Sequence, residues 1–272
     1  MMRLPSYPLH RNAARRTFRY CTTRAKPASD TSTTHFGFST IPTSEKQRLV
    51  SSVFTSVAQN YDIMNDLMSG GMHRAWKRAF VSELSPTSEM TILDCAAGTG
   101  DIGRLILARA PGASVTLSDP NPDMLKRAAD RGPSGLQIVA ADAQYLPFTS
   151  ASFDAYTISF GMRNVPRPEL ALKEAFRVLK PRGRFLMLEF ADVSNPVLKS
   201  LYDAYSFKVI PRIGSVVARD RDAYQYLVES IRAFPKQAQF AHMVKDVGFR
   251  HVSVTDYSLG IAACYSAFKP PE

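Results

Sequence analysis

The chain has 272 residues, 45% hydrophobic and 21% charged, with a formal net charge of +10. That length suits one sizeable α/β domain with a tail, and no run approaches the roughly 18 apolar residues that a membrane-spanning helix needs. A basic protein suggests a nucleic-acid partner only if the charge covers the folded body; here residues 1–29 carry +7 and no acid, leaving +3 for the rest, so no nucleic acid is expected.

Residues 1–29 are rich in Arg, Ser and Thr, the composition of a mitochondrial transit peptide. On a helix, Arg11, Arg15 and Arg19 form one stripe and Leu9, Ala13 and Tyr20 face away. The segment predicts a mitochondrial location. Cys21, Cys95 and Cys264 show neither a close pair nor metal-type spacing, which fits a reducing compartment without disulfides, structural zinc or another metal. Residues 30–42, polar and without periodicity, read as a linker to a domain over 43–272.

The domain begins with a helical cover over 43–85. Leu49, Val50, Val53, Phe54, Val57 and Ala58 recur at helical spacing, and Ser44 with Gln47 suits a capping box. A short helix over Tyr61 to Ser69 ends at Gly70-Gly71, and a third runs from His73, read as a helix-start residue, to Leu84. Beyond Pro86 the texture changes to alternating strands and helices. Thr91 to Cys95, Val115 to Ser118, Leu136 to Ala140, Phe153 to Ser159 and Arg184 to Phe190 predict strands; Asp101 to Ala110, Pro122 to Asp130 and Pro168 to Leu179 predict helices. Such alternation makes βαβ units and a parallel sheet. A helical insertion follows from Asn195 to about Ile210, then helices near Ala223 to Ala233 and Gln237 to Val247. Two last strands, His251 to Tyr257 and Ala262 to Lys269, form a hairpin. Five parallel strands closed by a hairpin suit the seven-stranded class I methyltransferase sheet better than a six-stranded dehydrogenase sheet.

The stretch from Ile92 to Asp101 is an apolar strand, a small-residue turn and a helix start. Its glycines let a ligand approach the free backbone N–H groups. Gly98, Gly100 and Gly103 also satisfy the dinucleotide fingerprint, with Asp119 ending the next strand where ribose hydroxyls would lie. The turn therefore suits both a nicotinamide cofactor and S-adenosylmethionine. Asp94 at the first strand's end, suited to the methionine amine, Asp142-Ala143 after the third strand, suited to adenine, and Leu179 to Arg184 leading into the strand ending at Glu189 favour S-adenosylmethionine. Each acid has a plainer reading: backbone capping for Asp94, a helix N-cap for Asp119, a turn for Asp142.

Blocks outside the cofactor core are more specific: Thr34 to Phe38, Tyr61 to Ser69, His73 to Lys77, Ser159 to Val165, and Tyr202 to Phe207 through Pro211-Arg212-Ile213-Gly214. On these residues the chain, from about residue 34 onward, resembles the ubiquinone/menaquinone biosynthesis C-methyltransferase family, with Ala97 where the first glycine of that family's turn stands. The resemblance implies that Thr99, Asp119, Asp142, Ala143 and Ser159 contact S-adenosylmethionine, and that the reaction is C-methylation of the 2-methoxy-6-polyprenyl-1,4-benzoquinol ring in ubiquinone biosynthesis. It also implies peripheral contact with the matrix face of the inner membrane, other ubiquinone-biosynthesis proteins as partners and a homodimer.

Carbon methylation needs the quinol hydroxyl to lose its proton, which pushes electron density onto the ring. Arg163-Asn164 is the first candidate for this chemistry, Arg163 as phenolate stabiliser because a guanidinium is a poor base. Tyr61 and Asp62 are second candidates. A loop salt bridge is the plain alternative for Arg163, and a core aromatic for Tyr61. Phe54, Val57, Met64, Met68, Tyr205, Phe207, Val209 and Ile210 could line a prenyl channel, although apolar residues at helical spacing are more often core. Two other readings stay open, a nicotinamide-dependent oxidoreductase and a non-catalytic scaffold of the biosynthetic complex; demethylmenaquinone is the alternative substrate.

Overall fold

The apolar runs pair into one eight-stranded sheet of a computed structural model that describes residues 18–20, 32–57, 61–133, 136–193, 196–209 and 221–271. In chain order the strands are β1 (Phe18–Tyr20), β4 (Thr91–Cys95), β5 (Ser114–Asp119), β6 (Leu136–Ala140), β7 (Phe153–Ser159), β8 (Leu179–Phe190), β9 (Arg250–Tyr257) and β10 (Ala262–Phe268), while β2 (Thr33–Phe36) and β3 (Ser39–Pro42) pair separately. The sheet order is β1-β6-β5-β4-β7-β8-β10-β9. Every pair from β1 to β8 is parallel; β10 runs antiparallel between β8 and β9. The seven expected strands are all present, with β1 added at the edge.

Strands β4 and β5 are buried along nearly their whole length, as strands in the middle of a parallel sheet are. The helices are α1 (Thr43–Val57), α2 (Tyr61–Ser69), α3 (His73–Leu84), α4 (Asp101–Arg109), α5 (Pro122–Arg131), α6 (Pro168–Val178), α7 (Pro196–Ala204), α8 (Arg221–Ala233) and α9 (Gln237–Asp246). Local chemistry sets several starts. Pro122 and Pro168 occupy first-turn positions, where no N–H is missed, and Asn121 caps α5 by accepting from the N–H groups of Asp123 and Met124. One core joins Trp76, Phe80, Ile106, Leu117 and Tyr224; the other joins Tyr156, Phe185, Phe240, Phe249 and Tyr265. Each such fully buried side chain contributes about 1.5–3 kcal/mol of apolar transfer.

Three expectations change. Residues 33–42, expected within a linker, form the β2–β3 hairpin, which Thr43 ties down by donating to the Ser32 carbonyl at 2.9 Å. The polar pattern gave no sign of strands because this hairpin is not part of the main sheet and packs only some of its side chains. Helix α1 starts at Thr43, so Ser44 sits inside its first turn instead of capping it. Strand β8 begins at Leu179, five residues before the expected Arg184. Of the basic N-terminal segment, only 18–20 are described; the rest, like residues 30–31, the 211–214 block and Ile210, lies outside the described residues.

Candidate active site

The strand order reverses at β4, and the carboxyl ends of the parallel strands around that point are where α/β sheets take ligands. A cleft opens there, with about 640 Å³ of empty space counting the part open to solvent. Its floor is Ala96 and Gly98 from the turn after β4, Asp119 to Asn121 after β5, Asp142 and Ala143 after β6, and Ser159 to Gly161 with Asn164 and Val165 after β7. Its wall is α1, through Gln47, Val50, Ser51 and Phe54.

Backbone conformation shapes the floor. Gly98 and Gly100 have φ of +54° and +79°, a region costly for residues with a Cβ. Gly98 faces the cleft, whereas a Cβ on Gly100 would lie 3.0 Å from Leu117 and 3.1 Å from Ala128, so Gly100 serves helix packing. Ala96 and Phe160 also carry positive φ, +50° and +54°, where adjacent strands β4 and β7 end.

Asp119 is the best-formed acceptor. Its Oδ2 accepts from Gly98 N–H at 2.9 Å and its Oδ1 from Asn121 N–H at 2.8 Å, leaving a lone pair on each oxygen for a vicinal diol. Burial raises its pKa to about 6, against the pull of those two N–H donors. Asp142 accepts from the Gln144 backbone and side-chain amides at 2.9 and 3.0 Å. The Ser159 hydroxyl is buried without a hydrogen-bond partner in the protein, as a ligand-facing group would be. Ribose hydroxyls, an adenine ring and an apolar wall thus all find matching groups, so the residues present fit S-adenosylmethionine.

Other expected residues stand behind the cleft. Asp94 is 1% exposed and accepts from Thr157 Oγ1 at 2.9 Å; burial lifts its pKa to about 7. Thr99 is buried with its hydroxyl unpartnered, and its carbonyl accepts from Arg104. Neither is among the residues that line the cleft.

Arg163 departs furthest from expectation. It is 7% exposed, and its Nη1 donates to Glu189 Oε1 at 2.8 Å and to the Phe160 carbonyl, so the guanidinium is directed into the protein and not into the cleft. Glu189 is fully buried; desolvation raises its pKa while Arg163 opposes the shift. The salt bridge that was its plain alternative is present, and it is buried. Asn164 does line the cleft, and its Oδ1 accepts from Tyr226 Oη at 2.9 Å. Asp62 pairs with Arg131 at 3.1 Å, away from the cleft, and the Tyr61 side chain lies outside the described residues. His73 does start α3, with Nε2 3.0 Å from Asp66. Of the channel candidates, Phe54 reaches the cleft, Val57, Met64 and Met68 belong to the closed core, and Tyr205 donates to the Leu67 carbonyl; the Val209 side chain is not among those described.

The sequence reading missed Lys46, Tyr226 and the partnership of Glu189. Lys46 on α1 is buried and donates to the carbonyls of Arg163 and Val165 at 3.3 and 3.2 Å; desolvation lowers its pKa to about 8. It fastens the helical wall to the loop after β7. A lysine inside an otherwise apolar helical repeat was the available signal.

Strand order, glycine turn and ribose-type acid together define a class I S-adenosylmethionine-dependent methyltransferase. Solved structures agree on the fold: a possible histamine N-methyltransferase of Thermotoga maritima matches with a TM-score of 0.59 at 18% identity, over 80% of this chain and 99% of that one. Phosphoethanolamine N-methyltransferase 2 of Haemonchus contortus, solved with S-adenosylhomocysteine, matches at 0.54 and 15%, over 72% of this chain and 52% of that one.

The family model described as the ubiE/COQ5 methyltransferase family matches residues 42–269, and the chain belongs to that family. The ubiquinone/menaquinone biosynthesis C-methyltransferase UbiE of Cereibacter sphaeroides is 53% identical over 242 residues, 87% of this chain and 97% of that protein. The Methylobacterium nodulans UbiE is 53% identical over 249 residues, 89% and 99%. These relatives are bacterial, which overturns the mitochondrial location predicted from the basic N-terminus. Composition misled there: an acid-free, Arg-rich stretch is not peculiar to presequences, and residues 18–20 within it form a strand, not part of a basic helical stripe.

Proposed function

We propose that the cleft holds S-adenosylmethionine and methylates a ring carbon of 2-methoxy-6-polyprenyl-1,4-benzoquinol. The coarser statement stands on the family: the chain is an S-adenosylmethionine-dependent C-methyltransferase of ubiquinone/menaquinone biosynthesis. Neither the oxidoreductase nor the scaffold reading has support from its relatives.

In this reading Asp119 accepts from the two ribose hydroxyls, Asp142 and Ala143 border the adenine, and Gly98 and Ser159 approach the remaining polar groups. When bound, the cofactor supplies an electrophilic methyl group on a sulfonium. The protein then has two tasks, aligning the ring and favouring loss of the hydroxyl proton. The ring carbon would gain the methyl as its bond to sulfur breaks, with S-adenosylhomocysteine as the leaving group; the carbon then loses its hydrogen as a proton, and the hydroxyl is restored. Val50, Phe54 and Val165 offer the ring an apolar surface, and Asn164 offers its ring oxygen a polar one. Arg163, committed to Glu189, shapes the loop from behind. The same proposal includes peripheral contact with a membrane surface, because a polyprenyl chain keeps its quinol in the bilayer. The exposed Phe38 and Phe207, with ring centres 6.2 Å apart, are suited to meet it. Other proteins of the pathway and a second copy of the chain are the proposed protein partners.

The observation that carries the reading is Asp119, held by two backbone N–H groups with two lone pairs open to the cleft. The test supplies labelled S-adenosylmethionine with a reduced short-prenyl 2-methoxybenzoquinol or with a demethylmenaquinol. Ring-carbon methylation of the first is expected; transfer to demethylmenaquinol alone, or to an oxygen, rejects the substrate.

A further inference from the structure

Asn164 reaches the cleft from a short 3-10 turn, and the direction of its amide decides what it can do there. Two neighbours set that direction. On one side the Tyr226 hydroxyl donates to Oδ1 at 2.9 Å; on the other, the Phe160 carbonyl lies 3.5 Å from Nδ2. A carbonyl oxygen only accepts, so it selects the amide nitrogen on its side and leaves the oxygen for the hydroxyl. Burial pushes the Tyr226 phenol well above its ordinary range, so it keeps the proton it donates. The phenol ring is itself fixed, stacked on Phe36 of β2 with centroids 4.0 Å apart and planes at 18°. Thr34 on the same strand donates to the Pro166 carbonyl at 3.1 Å, binding the hairpin to the same loop.

The amide keeps two capacities for a ligand, the second lone pair of Oδ1 and the N–H of Nδ2 beyond the one aimed at Phe160, and of these only the N–H favours an oxygen that turns negative. We propose that Tyr226 is a positioning residue for methyl transfer, holding Asn164 Oδ1 so that Nδ2 presents a hydrogen-bond donor to the quinol oxygen that becomes negative as its proton leaves. Asn164 touches the substrate and Tyr226 acts through it. A donor fixed beforehand favours the ionised ring oxygen without reorganising during the reaction. An amide turned the other way would put a carbonyl against the same oxygen and repel it. The inference rests on the quinol reading of the cleft.

Tyr226→Phe keeps the ring and its stack on Phe36 and removes only the hydroxyl. In the full-length protein kcat is expected to fall about tenfold, an indirect loss smaller than removal of a direct oxyanion donor. KM for S-adenosylmethionine should stay within about twofold of wild type. The acid limb of the kcat profile should move to higher pH, because the bound quinol ionises less readily. In an Asn164→Ala background the same substitution should change kcat no further. Undiminished kcat in Tyr226→Phe, or a full second tenfold loss in the Asn164→Ala background, overturns the proposal. The side-chain amide resonances of Asn164, read by nitrogen-15 NMR without substrate, provide a separate check: they should shift and broaden in Tyr226→Phe, and unchanged resonances also overturn it. A wild-type protein that methylates no quinol, with those resonances still responding, locates the failure in the reading of the substrate and not in the hydrogen bond.

Discussion

The two halves of the cleft are built in different ways. On the cofactor side the groups sit at the ends of successive strands: Gly98 donates to Asp119 across 21 residues, and Gln144 closes on Asp142 across two. On the acceptor side they come from far apart in the chain. Lys46 meets Arg163 across 117 residues, Thr34 meets Pro166 across 132, and Tyr226 meets Asn164 across 62. The first half is backbone geometry with two carboxylate acceptors; the second is a set of side chains, most of them buried, that must pair correctly or not at all. A cofactor shared by a fold can be held by a short turn, but the surface that receives a ring is assembled from the whole chain.

The largest effect that would sharpen this contrast belongs to the buried pair. Glu189→Leu leaves the Arg163 guanidinium, which cannot shed its charge, buried without its counterion. The fold should lose about 3–5 kcal/mol in chemical denaturation, and adding Arg163→Met should recover much of it. A single variant as stable as wild type would show that Arg163 finds water, and would break the contrast. Next comes Asp119→Ala. Losing hydrogen bonds to a charged acceptor costs about 1.5–3 kcal/mol, so titration calorimetry should find S-adenosylmethionine bound about 10- to 150-fold more weakly. The smallest effect is on pH. Only the ionised carboxylate accepts from both hydroxyls; since burial holds the Asp119 pKa at about 6, affinity should be level above that value and fall about tenfold per unit below it. A profile flat down to pH 5 would mean that the diol binds elsewhere.

The same division explains what could be read from the amino-acid order. Strands such as Leu136–Ala140 and Phe153–Ser159 announce themselves by apolar runs between turn residues, and Pro122 and Pro168 mark helix starts, so the sheet and its switch point were open to reading. So were Asp119, Asp142, Ala143 and Ser159 as residues that meet at one edge, because a parallel sheet brings its strand ends together. The direction of Arg163 was not legible, because a cation beside a motif does not reveal which way it points, and Glu189, 26 residues later, takes it inward. Tyr226 carries no local signal: its partners, Phe36 and Asn164, become neighbours only after α8 packs. The β2–β3 hairpin was hidden for the same reason, since Thr33–Pro42 has little apolar alternation and depends on distant loops for its place.

The Lys46 attachment also sets an order of assembly. Helix α1 leaves the ribosome ahead of every strand from β4 onward, yet the two carbonyls that seat it belong to residues made 117 and 119 positions later. Closing so long a loop carries an entropic cost that only finished contacts offset. The amphipathic helix must therefore wait while β4 to β7, with α4 and α5 between them, are synthesised. The first wall of the cleft to be synthesised is seated only after the strand ends beneath it, and a nascent chain cannot complete the cofactor site until the loop after β7 has emerged.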